Sequence, residues 1–263
     1  MHYEAFDFRR DGHVAHLTWN QPERGNPIDE AFCRELKQIA IECDEDPDIR
    51  AVLMDANGRH FSVGGDVKTF TRDRAALPRL TKAMTGDLNA GVIRLARMDA
   101  PVIVALHSLV TGGAVAFAAA ADIALASADA RFYAAFTAIG FSCDCGTSHF
   151  LPRRVGARRA LDFLLRNQTW SAQDALAAGL VNEVLPDLDA LRAASRELAA
   201  RLAAGPTRAY GEIRRLFQSS FTQSLEAQLE DEAQAIARCT HTDDAWQALE
   251  AVLTKRPVRF DGR

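Results

Sequence analysis

Apolar and polar positions divide this chain into short continuous apolar runs and longer segments in which apolar residues recur every third or fourth position. Residues 3–9 and 13–19 alternate in polarity around Arg10, Asp11 and Gly12, which predicts a β-hairpin. Asp29 can cap a helix whose face carries Phe32, Leu36, Ile39 and Cys43, and which ends before Pro47. Residues 51–54 are apolar without alternation, as expected of a strand buried on both faces, and a loop through Phe61, Ser62, Val63, Gly64, Gly65 and Asp66 follows.

The same order recurs downstream, with an amphipathic segment over 77–96, a strand over 102–106, a turn at Gly112 and Gly113, and an alanine-rich helix over 114–121. A strand over 123–126, a loop over 140–146 and a helix around Leu151 come next. Ser171 and Asp174 form a capping-box pattern for a short helix that stops at Gly179, before a strand over 180–185. Beyond Pro186 only helical periodicity remains, over 188–203, 207–217, 225–239 and 243–253. The reading is an α/β core over residues 1–186 and a helical region over 187–263, whose apolar faces need the core or a neighbouring subunit to bury them. In such a core the ligand site falls at the carboxyl ends of the strands, where both glycine turns lie.

Hydrophobic residues make up 48% of the 263 and charged residues 25%, which excludes a disordered or fibrous chain. A net charge of -4 provides no field for nucleic acid or an anionic membrane, so neither is expected as a partner. The five cysteines are odd in number and include no C-x-x-C pair, which argues against a disulfide framework or a metal site and suits a reducing cytoplasm. The first residues lack the pattern of a signal peptide, and the longest apolar stretch, 109–121, is short of the roughly 20 residues that span a bilayer.

Two turns with glycine after a buried strand can aim two backbone amides at one oxygen, an oxyanion hole that the following helix would reinforce with its positive end. The glycines also permit tight turns with no such role. The motifs themselves resemble those of the crotonase superfamily, the enoyl-CoA hydratase/isomerase family, along almost the whole chain. Asn20-Gln21-Pro22-Glu23-Arg24-Gly25-Asn26 resembles N-R-P-E-K-x-N, and the stretch from Phe61 to Lys68 resembles F-S-A-G-A-D-L-K. Thr111-Gly112-Gly113-Ala114 falls at the L-G-G-G turn, Asp122-Ile123-Ala124-Leu125-Ala126 at D-I-x-x-A, and Leu151-Pro152-Arg153-Arg154-Val155-Gly156 at L-P-R-L-V-G. Ala175 and Ala178-Gly179-Leu180-Val181 match A-x-x-x-G-L-V.

The resemblance implies a spiral of β-β-α turns, a C-terminal helical region for trimerisation, a homotrimer or dimer of trimers, and acyl-CoA substrates with no cofactor beyond the coenzyme A they carry. It makes Gly65 and Gly113 the oxyanion-hole residues. It places Arg24, Asn26, Val63, Asp66 and Lys68 along the coenzyme A, with Lys255 reaching a CoA phosphate across a subunit contact, although Val252 stands where an aromatic residue usually precedes that lysine.

The two glutamates of the hydratases are absent, their positions falling at Ala116 and Phe136, so the two-carboxylate mechanism does not carry over. The replacement is Asp144, where several branches place an aspartate, among them phenylacetate-type enoyl-CoA isomerases, naphthoate synthases and chlorobenzoyl-CoA dehalogenases. The dehalogenase branch is disfavoured, since its tryptophan and histidine fall at Phe136 and approximately Ile93; the naphthoate synthase context is only partly echoed. Asp144 is read either as a base, with its pKa tuned by burial, or as the N-cap of the helix that follows. Cys143 and Cys145 flank it as filler or reactive thiols, Ser142 and Tyr133 could orient substrate or water, and His60, His107 and His149 are weaker candidates. The expected activity is double-bond isomerisation, or hydration, of an unsaturated acyl-CoA. The alternatives are a catalytically inactive acyl-CoA-binding subunit and a C-C bond-cleaving or hydrolytic relative.

Overall fold

The computed structural model describes residues 2–262. β1 (Phe6–Asp11) and β2 (Val14–Trp19) form the expected hairpin around Gly12, whose φ of 57° suits glycine. α1 (Glu30–Glu45) is capped by Asp29, whose carboxylate accepts the Phe32 amide, and β3 (Ala51–Ala56) follows. Next come α2 (Val67–Phe70), α3 (Leu77–Arg97), β4 (Val102–Leu106), β5 (Leu109–Thr111), α4 (Gly113–Ala120), β6 (Ile123–Ser127) and β7 (Arg131–Tyr133). A 3-10 turn at Phe136–Ile139 leads to α5 (Thr147–Val155), α6 (Ala157–Leu165), β8 (Thr169–Ser171), α7 (Ala172–Ala178) and β9 (Glu183–Leu185). The last elements are α8 (Leu188–Ala203), α9 (Thr207–Ser219), α10 (Leu225–Thr240) and α11 (Asp243–Leu253).

The large sheet runs β1-β2-β3-β4-β6-β9, parallel apart from the first pair, and a smaller sheet runs β5-β7-β8. The unalternating runs have the expected cause. Val52, Met54, Val102 and Val104 face a core shared with α1, α3 and α4, whereas Ala51, Leu53, Ile103 and Ala105 pack with Leu191, Ala199 and Ala203 of α8. The first core centres on Trp19, whose ring lies 4.4 Å from Phe32, 4.7 Å from Phe61 and 5.2 Å from Phe117. α3 lies close on α1 because Gly91 has no side chain: a Cβ there would stand 3.0 Å from Leu36 Cγ.

Two expectations need correction. The strand placed over 180–185 begins only at Glu183: Leu180 N is held by Ala175 O in the turn after α7, and Asn182 N makes a bond to Ala124 O of β6 just ahead of the strand. The second glycine turn does not follow the strand over 102–106 directly; β5 intervenes and belongs to the other sheet. The amide of Gly112 donates to Tyr133 O, which ties the turn to β7.

The later helices are held to the core by buried polar groups. Arg214 of α9 pairs with Asp122 at 2.8 Å and donates to the carbonyls of Leu95, Met98 and Ala100 at the end of α3. Arg50 donates to Gly205 O, Thr207 Oγ1 and Phe260 O, and Asp244 accepts the amides of Asp261 and Gly262. Phe217, Leu225, Ile236, Trp246 and Leu253 remain exposed on these helices. Among the described residues no helix is long and apolar enough to cross a membrane.

Candidate active site

The loop after β3 is built around Asn26, held at φ 53°. Its side-chain Nδ2 donates to Asn57 O and His60 O, and its Oδ1 accepts the Gln21 backbone amide. Ser62 Oγ donates to Asn26 O and accepts from Gly64 N, Val63 N donates to Gly25 O, and Ile28 N donates to Gly64 O. Arg24 bridges Asp29 at 2.7 Å and Asp66 at 2.8 Å. Burial pushes the Asp66 carboxyl up, but its bonds from Thr69 and the Lys68 amide and its pairing with Arg24 outweigh this and hold it below the usual range. The side chains of Arg24, Asn26 and Asp66 thus brace the loop that carries Gly64 and Gly65.

The second turn lies against the first. Thr111 N donates to Ser62 O, and a Cβ on Gly64 would stand 3.1 Å from Thr111 O. Gly112, at φ 55° and ψ -120°, takes a backbone conformation that favours glycine and starts α4 with Gly113. Gly65 and Gly113 line one cavity of about 680 Å³, and among the described residues no acceptor takes either amide hydrogen. Two free amides, one of them at a helix N-terminus, can hold an oxygen that gains negative charge.

Asp144 reaches the same cavity from the unstructured stretch before α5. It is not the helix cap: Gly146 takes that position at φ 77°, and the bonds from Thr147 go to the Asp144 main-chain oxygen. A Cβ built on Gly113 would stand 3.5 Å from Asp144 Oδ1. No cation pairs with this carboxylate among the described residues, and burial pushes its pKa up. It is the one carboxylate among the described residues that line the cavity.

The other sequence candidates divide. Val63 and Phe136 line the cavity, as do Tyr133 and Ser142. Lys68 and Lys255 are exposed and do not line it, and Lys255 lies just past α11 at φ 52°. Ala116 is fully buried on α4, in the core rather than on the cavity wall. His107 has its Nε2 3.1 Å from Gly58 O, His60 lies beside Ser108, and neither these nor His149 reaches the cavity. Cys33 of α1 does reach it. Burial first, and then the Asp144 charge, push the Cys33 and Cys145 thiols well up, so both stay protonated and Cys145 is not a reactive thiolate.

The sequence reading missed most of the cavity wall. Leu77, Met84 and Leu88 of α3, Phe70 of α2, and Phe141 supply its apolar sides, and Thr81, Lys82 and Thr85 a polar edge. The amphipathic pattern of α3 marked a buried face without indicating what that face borders.

The profile of the family described as enoyl-CoA hydratase/isomerase matches residues 9–263. The chain is 31% identical over 251 residues to a 1,2-epoxyphenylacetyl-CoA isomerase of Escherichia coli strain K12, covering 95% of each chain. It is 30% identical over 274 residues to a trans-2-decenoyl-[acyl-carrier-protein] isomerase of Streptococcus mutans, covering all of both. Among solved structures it resembles an enoyl-CoA hydratase of Mycobacterium smegmatis at 28% identity, with a TM-score of 0.87 over 97% of this chain and 98% of the other.

Proposed function

Because this chain belongs to the enoyl-CoA hydratase/isomerase family and is an enzyme of that kind, we propose that it moves a double bond within an unsaturated acyl-CoA, with Asp144 as the proton shuttle. The observation that carries this reading is the half-buried Asp144 carboxylate, without a cation beside it, next to the free amide of Gly113, in a chain whose two hydratase glutamate positions hold Ala116 and Phe136.

In this reading the thioester oxygen accepts hydrogen bonds from Gly65 and Gly113. Asp144 removes a proton from the carbon next to the thioester, and the electrons pass onto that oxygen as an enolate. The enolate collapses as Asp144 returns the proton to the carbon two positions further along, so the double bond shifts and the carboxylate is regenerated. The cycle is balanced in atoms and electrons by the substrate and Asp144, with coenzyme A present only as part of the thioester.

The coenzyme A arm is assigned to the braced loop of Arg24, Asn26, Val63 and Asp66, with Lys68 at its edge, and Phe136 is assigned to the acyl wall. Lys255 is assigned to a CoA phosphate at a neighbouring subunit. The exposed apolar faces of α9 to α11 support a homotrimer or dimer of trimers, and a cytoplasmic location fits the free thiols.

Ultraviolet absorbance of the conjugated enoyl thioester, followed with 2-enoyl and 3-enoyl CoA substrates for the wild type and Asp144→Asn, tests the proposal. Conjugation gained from 3-enoyl substrates and lost in the variant supports isomerisation. Loss of conjugation from 2-enoyl substrates means hydration. Binding with no change in absorbance favours the inactive acyl-CoA-binding subunit or the C-C bond-cleaving and hydrolytic alternatives, which the missing glutamates also allow.

A further inference from the structure

The active-site cavity is bordered by a wall that has a second cavity behind it. Phe136, Phe141 and Ser142 line the first cavity and also a second one of about 390 Å³, completed by α5 and α6. The second cavity has no charged residue in its lining. Its one threonine, Thr137, already donates its hydroxyl hydrogen to Leu164 O. Leu161 and Leu165 border it while 56% and 70% exposed, although Ala160 and Phe163 of the same helix are in the core.

The wall is thin. The Phe141 amide donates to Phe136 O at 3.0 Å, so the segment between them closes on itself. Ser142, which follows it, is exposed and makes no hydrogen bond among the described residues, in a stretch without regular structure. Ser142 is the one small side chain among the three residues that line both cavities.

We propose that the second cavity is a distal acyl subsite for a long unbranched apolar chain. The chain leaves the first cavity over Ser142, between the rings of Phe136 and Phe141, and lays its end along Leu161, Leu164 and Leu165. This rests on the reading of the first cavity as an acyl-CoA site. The shared wall is what favours a substrate chain over a second protein copy, and the uncharged lining fixes the far end of that chain as apolar. It also gives Phe136 a physical reason: a carboxylate at that position would border the path of the chain and lose its water as the chain passed.

The test is calorimetric binding of saturated, unreactive acyl-CoA thioesters from butyryl to myristoyl, to the wild type, Leu161→Asp and Leu165→Asp, with oligomeric state measured alongside. Both leucines are exposed, so the variants are expected to fold. The wild type should gain about twofold to fourfold in affinity per added methylene well beyond hexanoyl. The variants should bind butyryl-CoA as the wild type does and stop gaining once the chain crosses Ser142. Superimposed ladders, or a wild-type ladder that flattens at hexanoyl, overturn the subsite while leaving the acyl-CoA site standing. Failure of every chain length to bind overturns that site and the subsite together. Altered assembly with an unchanged ladder assigns the groove to a second copy of the chain instead.

Discussion

A Cβ atom on Gly113 would stand 3.5 Å from Oδ1 of Asp144 and 2.9 Å from Cδ1 of Ile28. The amide that opens α4 and the carboxylate from the loop before α5 therefore share one small volume, which only glycine leaves open. A group that holds a developing oxyanion and a group that moves a proton are useful to one substrate only at such a separation.

Asp144→Asn is expected to lower kcat roughly 10²- to 10⁴-fold in the isomerisation assay. Affinity for a saturated acyl-CoA should be nearly unchanged, since the variant keeps the shape of the side chain. Full turnover by this variant would remove Asp144 from the mechanism.

The pH dependence follows from burial, which holds the Asp144 carboxyl above the usual range. The base works only when ionised, so kcat/KM should fall as pH drops through a value above that of a free aspartate. A carboxyl raised in the folded state stabilises the fold below its unfolded pKa and loses that contribution as pH rises through its folded pKa. At pH 7 Asp144→Asn should therefore melt higher than the wild type, with the difference shrinking as pH falls through the raised folded value and gone below about pH 4. A variant that melts lower at pH 7 would show a carboxylate held by partners rather than an unpaired one.

Gly112 and Gly113 separate strain from catalysis. Gly112 sits at φ 55°, so Gly112→Ala is expected to destabilise the fold by about 1–3 kcal/mol in denaturant unfolding. Gly113 has no such backbone demand, but its new Cβ would press on Ile28 and shift the amide. Gly113→Ala should lower kcat roughly 10- to 100-fold with a smaller change in stability.

Asn26→Ala removes three hydrogen bonds from a side chain only 2% exposed, to Gln21, Asn57 and His60. A loss of about 3 kcal/mol is expected in denaturant unfolding, with acyl-CoA binding weakened because the loop that carries Gly65 loosens. Wild-type stability in this variant would mean that water replaces the bonds.

Arg214→Met tests the clamp between α9 and the core. It leaves Asp122 without its cation and the carbonyls of Leu95, Met98 and Ala100 without their donor. A loss of about 2–4 kcal/mol is expected, read as a lower denaturant midpoint.

Local order alone made much of the fold legible. The hairpin, the Asp29 cap, the capping box of α7 and the runs buried on both faces are set by neighbours a few residues apart in the chain, and the structure contains all of them. β5, β7 and β8 escaped because each is only three residues long and is held by pairing across the fold rather than by a periodic pattern.

For the site, the chain by itself supplied the glycine turns, because backbone freedom is a property of single residues, and the resemblance to the family singled out Asp144 among the chain's aspartates. Whether Asp144 caps α5 or faces Gly113 depended on how the loop before α5 packs, and that packing made Gly146 the cap. The face of α3, the thiol of Cys33 and the wall shared by two cavities became visible only in three dimensions. They are contributed by residues far apart in sequence, and a cavity is a property of the space between such residues rather than of any one segment.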